Sequence, residues 1–386
     1  MRSVSLIGAG VTSFGVRSEG VVRLGAEICR MAIEDAGIGL ERVEAFFLGN
    51  FAGHAFTGQN HLAPMVAHAA GLGPVPCTRA EGACASGGLA VHQGVLAVAS
   101  GAADFVLVAG VEKMSTTTTV ETAEILAAAG DYESESSIGA TFPALFALIA
   151  RRHMHEYGTT REDMAMVAVK NHAHGYLNPD AHLQKKVTLE EVLDARPVAD
   201  PLCLLDCSPI SDGAAAVVLC PSEMAPDFHS KPVRVLSSVQ ASDVPALSDK
   251  KNIAGFQATR RAAEEAFRRA RVNPEDVDLA EVHDCFTIGE ILALEDIGFY
   301  RKGEGSQGAG EGETALGGSM PVNVSGGLKA KGHPVGATGV AQITEITLQL
   351  RGDAGPRQVR GAEVGLVHNL GGSGATCAVH ILASDA

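Results

Sequence analysis

Apolar residues at Leu24, Ile28, Met31 and Ala32 recur at helical spacing, and the same spacing returns at Ala262, Ala266, Phe267 and Ala270. Each amphipathic stretch leads through a short polar turn into a strand entered at Val43-Glu44 or Val277-Asp278. The two segments, residues 23–51 and 257–285, align without gaps at an offset of 234 residues. A second echo follows at an offset of 249. A helix from Cys84 to about residue 99 leads into a strand over 105–109, and a helix from His333 to about residue 350 leads into a strand over 364–367. The pattern predicts a duplicated α/β unit. Cys84 and His333 take equivalent places in its halves, each at a helix N-terminus, and a pseudo-twofold axis would bring them together.

Between the halves the pattern changes. Residues 115–205 hold a run of four threonines from Thr116 to Thr119, helical stretches over 142–157 and 161–174, and the polar segment Asn178-Pro179-Asp180. This reads as an insertion lying over the core. Its histidines, His153, His155, His172, His174 and His182, are expected mostly at the surface. The first half closes at Asp212-Gly213, a turn feeding a buried strand over 214–219. The boundaries that follow are 1–220 for the N-terminal half, with the insertion at about 115–205, and 221–386 for the C-terminal half.

Composition narrows the class. The chain has 386 residues, 46% hydrophobic and 19% charged, which suits one large domain or two similar ones. A net charge of −15 excludes a general nucleic-acid surface but leaves room for a phosphorylated ligand held by a local basic patch. The eight cysteines sit in a long chain whose first ten residues read as a strand, not a secretory signal, so reduced thiols and a cytoplasmic location are expected. No apolar run is expected to cross a membrane.

Three motifs carry chemistry. In Gly82-Ala83-Cys84-Ala85-Ser86-Gly87-Gly88, a thiol at a helix start feels the positive end of the helix dipole, which favours the thiolate. Taken alone Cys84 reads as a small buried hydrophobe, the usual fate of a free cysteine. The other motifs reverse that. His283-Asp284-Cys285-Phe286 follows a strand, where open α/β sheets place ligands. Thr287 and Glu290 have the spacing of a capping box there. For Asp284 the plainer role, hydrogen-bonding the turn, is preferred. In Gly332-His333-Pro334, a glycine-rich approach holds an imidazole at a helix start, with Pro334 in its first turn. The turn Asn369-Leu370-Gly371-Gly372-Ser373-Gly374 can aim backbone N–H groups at an anion. Cys203 and Cys207 lack a second pair and read as structural, and no metal site is expected. Two thiols and two imidazoles together point to acyl transfer through a thioester.

These motifs, with Val111-Glu112-Lys113-Met114-Ser115 and Ser211-Asp212-Gly213-Ala214-Ala215, resemble thiolases over nearly the whole chain. The branch most similar is that of sterol-carrier-protein-like and archaeal thiolases. The resemblance implies an α/β thiolase fold, two βαβαβαββ halves in an α-β-α-β-α layering with an inserted loop domain, assembled at least as a homodimer. It implies coenzyme A thioester substrates with CoA as co-substrate and no tightly bound cofactor. It makes Cys84 the acylated nucleophile, His333 its base, Cys285 the second acid/base and His283 an oxyanion donor. The backbone N–H groups of Cys84 and of Gly372 or Ser373 form a second oxyanion hole, with Asn323 and Asn369 in support. Better-known thiolases carry their acid/base cysteine where this chain has Asn369; in this branch that role moves to Cys285. Cys377 is expected in the core. Thiolases of this branch often act with a small partner bearing an OB-fold and a zinc ribbon. The chain has no long basic tract for the CoA phosphates, so such a partner is expected to contribute to CoA binding.

Three other readings compete: a 3-oxoacyl synthase, which needs no Cys285; a thiolase-fold acyl-CoA aldolase, which lacks Cys84; and a non-catalytic acyl-CoA or lipid-binding protein. Acetoacetyl-CoA is the default substrate, with branched or aromatic 3-oxoacyl-CoAs such as benzoylsuccinyl-CoA depending on the insertion.

Overall fold

A computed structural model describes residues 2–384. The first half runs β1 (Val4–Val11), α1 (Val21–Asp35), β2 (Ala45–Gly49), α2 (Gly53–Thr57), α3 (Leu62–Ala70), β3 (Cys77–Ala80), α4 (Ser86–Ser100) and β4 (Val106–Glu112). Then come α5 (Thr119–Ala127), α6 (Phe142–Tyr157), α7 (Arg161–Gly175), α8 (Leu189–Leu193) and a small ribbon of β5 (Pro197–Ala199) and β6 (Leu202–Cys203). The chain returns to the sheet at β7 (Gly213–Pro221). The second half runs β8 (Val233–Ser242), α9 (Gln257–Ala270), β9 (Leu279–Glu281), α10 (Thr287–Ile297), α11 (Gln307–Gly310), α12 (Gly327–Lys331), α13 (Thr338–Arg351), β10 (Val364–Gly371) and β11 (Thr376–Ser384).

The repeat read from the sequence is the repeat of the fold. The main sheet has the order β3-β2-β4-β7-β1-β8-β11-β10-β9, and its halves meet where β1 pairs antiparallel with β8 (Ser5 opposite Arg234). On either side of that seam β7 and β11 are antiparallel neighbours of the first strand of their half, and β2 and β9 run parallel to β4 and β10. The partner of β3 in the second half is reduced to a single parallel bridge, Ala280 to Val322. Strands β4 and β7 are buried throughout, which explains their unbroken apolar runs.

Helices α4 and α13 form the middle layer, packed on each other and on strands of both halves; α1 and α9 cover the outer faces. The middle helices approach so closely that a Cβ on Gly339 would lie 2.2 Å from the Gly88 nitrogen. That crossing puts the starts of α4 and α13 side by side.

Several sequence expectations change here. The second-half helix begins at Thr338, so His333 and Pro334 lie in a hydrogen-bonded turn ahead of it; Ala337 and Thr338 N–H donate to the Pro334 carbonyl at 2.9 and 3.0 Å. The expected capping box at α10 is absent: Thr287 donates to Asp206 instead (2.8 Å), and Glu290 accepts from Lys170 (2.6 Å). The insertion's histidines are not mostly solvated. His153, His172 and His174 are buried with partners: His153 and His174 tie the insertion to the body, through Glu295 (3.0 Å) and the Asn323 carbonyl (3.0 Å), while His172 meets the Lys185 carbonyl (2.9 Å) within the insertion. One stretch, Ala83–Ser100, is apolar enough over 18 residues to pass as a membrane span by composition. It owes that to its place between the layers of the sheet, most of it buried.

Candidate active site

The Cys84 turn is held by short contacts. Gly82 N–H donates to Ser86 Oγ (3.0 Å), and Ser86 Oγ donates to the Ala83 carbonyl (2.6 Å). Ala83 is driven to φ 52°, a left-handed conformation that costs a non-glycine residue about 1–2 kcal/mol and sits immediately before the nucleophile candidate. The end of β10 closes over this turn. A Cβ on Gly371 would lie 2.3 Å from the Gly82 carbonyl, so only glycine allows the approach. The N–H groups of Gly372 and of Cys84 itself are directed at the Cys84 thiol. Ser373, by contrast, donates its hydroxyl to the Pro245 carbonyl (2.9 Å) and steadies the loop.

Asn369 organises the centre. Its Oδ1 accepts from Gly88 N–H (3.0 Å), which orients the amide so that Nδ2 donates to the Cys84 carbonyl (2.9 Å) and faces His283 Nδ1 (3.3 Å). His283 Nδ1 is therefore an acceptor, and its Nε2 carries the proton. His333 has the opposite tautomer. Its Nδ1 meets Thr338 Oγ1 (2.7 Å), whose own hydrogen goes to the Pro334 carbonyl (3.0 Å), so Nδ1 is the donor. His333 Nε2 is left as a bare lone pair, buried and without a partner. The two rings meet edge-on with centroids 5.0 Å apart. One ligand atom each from Cys84, His283 and His333 fall within 4.8 Å of one another. By distance alone these atoms suit a metal ion, but a protonated His283 Nε2 points an N–H where a ligand lone pair is required.

Burial dominates the electrostatics. It pushes the Cys84 thiol up to about 12 against the pull of the Gly372 N–H, and it raises the Cys285 thiol well above the ordinary range, with Cys84 adding to the shift. It lowers His333 to about 3 and His283 well below the usual imidazole range, the latter helped by His333 and His368. The resting site is thus thiol and neutral imidazole, contrary to the thiolate expected from the helix dipole. Cys84 lies in a 3₁₀ turn before α4, and the dipole's modest contribution is outweighed by desolvation. Such an arrangement offers an N–H donor at His283, a bare lone pair at His333 and two thiols, Cys84 and Cys285, with no charged group among them at rest.

Cys285 is buried in the turn between β9 and α10, its carbonyl held by Ser208 N–H (2.9 Å). Asp284 is structural: it accepts from Leu328 N–H (2.7 Å) and Asn171 Nδ2 (2.7 Å). Asn323, at φ 57°, stands one layer back; its Oδ1 accepts from Val282 N–H (2.8 Å), fixing the strand end that carries His283. Cys203, Cys207 and Cys377 are free thiols; Cys207 lies near Cys285, and Cys377, in the core, hydrogen-bonds Thr259.

Two contributors carried no role in the sequence reading. His368 Nδ1 accepts from the His283 backbone N–H (3.3 Å) and its Nε2 meets Thr259 (2.9 Å). Its place beside Asn369 on a strand was the available signal. Glu112, buried at the end of β4, accepts from the N–H groups of Phe51 (2.8 Å), Ala52 (3.2 Å) and Gly336 (3.0 Å), clamping the His333 turn to the first half. A charge ending a fully apolar strand marked it.

A layered, internally duplicated sheet with cysteine and histidine at the crossing of its middle helices defines a class of acyl-transfer enzymes. Residues 4–223 match the thiolase N-terminal domain and residues 239–384 the thiolase C-terminal domain-like family. The chain belongs to the thiolase family. It is 53% identical over 382 residues to an acetyl-CoA acetyltransferase of Methanothermobacter thermautotrophicus, covering 99% of both chains. It is 45% identical to an acetyl-CoA acetyltransferase of Methanocaldococcus jannaschii, again over 99% of each. Among solved structures it resembles an Ltp2-ChsH2(DUF35) aldolase at a TM-score of 0.87 and 28% identity, covering 99% of this chain and 98% of that one.

Proposed function

We propose that the protein is a C-acyltransferase that cleaves or forms 3-oxoacyl-CoA through an acyl-enzyme on Cys84. The observation that carries this is the convergence of Cys84 with two imidazoles of opposite tautomer. In cleavage, Cys84 Sγ attacks the C3 carbonyl and its proton passes to His333 Nε2. The carbonyl oxygen gathers charge facing the N–H groups of Cys84 and Gly372. The C2–C3 bond then breaks. Its electrons form an enolate at the departing acetyl-CoA, stabilised by His283 Nε2–H, and Cys285 protonates the carbon. In the second half Cys285 takes the proton of CoA, the CoA thiolate attacks the acyl-enzyme, and Cys84 leaves with the proton held on His333. Charges form and vanish in pairs, which suits a site whose resting groups are neutral. Condensation is the same sequence reversed.

The relatives named acetyl-CoA acetyltransferase favour acetoacetyl-CoA as substrate. Mixing the protein with acetoacetyl-CoA is expected to add one acetyl group by intact-protein mass, removed by free CoA. The aldolase neighbour supports a second reading, retro-aldol cleavage, which forms no acyl-enzyme. Absence of any adduct under turnover would favour it.

The halves are taken as 1–220 and 221–386, with 115–205 as the inserted loop domain. CoA acts as a co-substrate, with no tightly bound cofactor, and the location is taken as cytoplasmic. A homodimer is supported by the open sheet edge at β3, where Thr78 and Arg79 are exposed. A small OB-fold and zinc-ribbon subunit is proposed to complete the CoA site, consistent with a structural neighbour, the Ltp2-ChsH2(DUF35) aldolase, whose name joins two components. Adding such a subunit should lower the KM for CoA severalfold; an unchanged KM with full activity of the chain alone would sink this part.

A further inference from the structure

Cys84 is packed against a small apolar cluster separate from the main cores. Phe56, Met114 and Val335 are buried at its centre, and Phe51, Ala52, Ile125, Leu126 and Ile210 lie around it. The cluster is rigidly pinned. Met114 N–H donates to Asp212 Oδ1 (2.7 Å), and Asp212 is itself ion-paired to Lys113 (2.6 Å). Glu112 holds the backbone of Phe51, Ala52 and Gly336, on either side of the site. The Phe56 carbonyl accepts from Thr116 Oγ1 (2.6 Å). Walls tied to two buried carboxylates cannot retreat cheaply to admit a longer chain.

Building on the acyl-enzyme reading, we propose that this cluster limits the acyl group on Cys84 to acetyl size, and that Met114 sets the limit. Met114 is among the largest fully buried side chains of the protein. It is unbranched, and only its backbone takes part in the Asp212 contact, so truncation removes volume without cutting a hydrogen bond. Space lies close by: Phe56 also lines an open cavity of about 690 Å³ together with Lys113 and Thr116, which stand on either side of Met114 in the sequence. A longer acyl chain would run from Cys84 past residue 114 toward that cavity.

The test is a competition. Wild type and Met114→Ala receive equal concentrations of acetoacetyl-CoA and 3-oxohexanoyl-CoA, and intact mass reads acetyl against butyryl on Cys84. Wild type should carry acetyl almost alone. Met114→Ala should shift the butyryl-to-acetyl ratio by about tenfold or more, the range that one or two methylenes command in an apolar pocket. Met114→Leu, which keeps the bulk, should behave as wild type. Leu126→Ala removes a less buried part of the same wall and should shift the ratio in the same direction, which keeps the test valid if Met114→Ala is poorly folded. A folded Met114→Ala or Leu126→Ala with an unchanged ratio would overturn the assignment, as would a wild type that accepts butyryl as readily as acetyl. In both those cases the acetyl adduct still forms and the thiolase reading stands. No adduct from either substrate on wild type would instead defeat that reading, and this inference with it.

Discussion

Cys84→Ala should lower cleavage of acetoacetyl-CoA by roughly 10⁴-fold or more and leave no acyl adduct, while the protein stays folded. Cys285→Ala should lower it by about 10²–10⁴-fold, the usual yield of a general acid–base group, and should still form the adduct slowly. The difference follows from the roles proposed for the two thiols. Without Cys84 no atom is placed to attack the carbonyl. Without Cys285 the attack proceeds, but the departing carbanion finds no proton and incoming CoA no base. Both substitutions remove one sulfur atom, and the partners that fix the Cys84 turn, the Ser86 hydroxyl and the Asn369 amide, bond to backbone rather than to the thiol. Because the two cysteines act in one sequence, the double variant should be no slower than Cys84→Ala alone. Steady-state rates with a time course of intact mass decide the matter. An adduct on Cys84→Ala would move the nucleophile elsewhere, and full activity of Cys285→Ala would remove it from the chemistry.

The sequence showed most of the scaffold because the scaffold is periodic. Helices α1 and α9 each present one apolar stripe to a sheet, so their shared 234-residue offset could be read directly. The crossing of α4 and α13 was signalled by glycines without which those helices cannot touch. What the sequence could not show are effects that exist only once distant segments meet. The tautomers of His283 and His333 depend on Asn369 and Thr338, and the choice between thiol and thiolate at Cys84 depends on how much water the folded site excludes. The insertion's histidines were misread for a related reason. Helix α7 has almost no amphipathic pattern, because it is packed by α8, α10, α11 and α12 on several sides and its polar residues are buried with partners. A polar helix face reads as solvated unless the partners are visible, and Asn171, bonded to Asp284 and Glu290, is visible only in the fold.

The same burial makes the protein acid-labile. His174, His333, His368 and His380 are lowered to about 3 and His172 to about 4, all chiefly by desolvation, and burial also holds His283 well below the usual imidazole range. In the unfolded chain each titrates near 6.5. The stability they contribute is full above that value and is lost as pH falls below it, since the unfolded state then binds protons the native state cannot. Buried carboxyls act in the opposite sense: Glu112, Glu281 and Asp284 are raised by burial to about 7, so between 7 and 4.5 the native state holds protons the unfolded state has released. These six histidines and three carboxyls by themselves leave a net uptake of about three protons on unfolding near pH 5, on the order of 4 kcal/mol lost per pH unit, and His92, His182 and His229, also lowered by burial, add to it. Histidine wins, and below 4.5 its opposition disappears. Calorimetry should therefore show a melting temperature that is steady near pH 8 and falls steeply from about 6 to 5. His380→Leu isolates one site. The His380 ring nitrogens make no well-formed hydrogen bond, and the neighbouring Gly88 backbone does not offset the burial. Its loss should cost little at pH 8 and should flatten the acid limb by one proton, about 1.4 kcal/mol per pH unit. A melting temperature level to pH 5, or a variant with an unaltered slope, would mean that water or rearrangement reaches these imidazoles and that the neutral site described for Cys84 and His333 is not the state in solution.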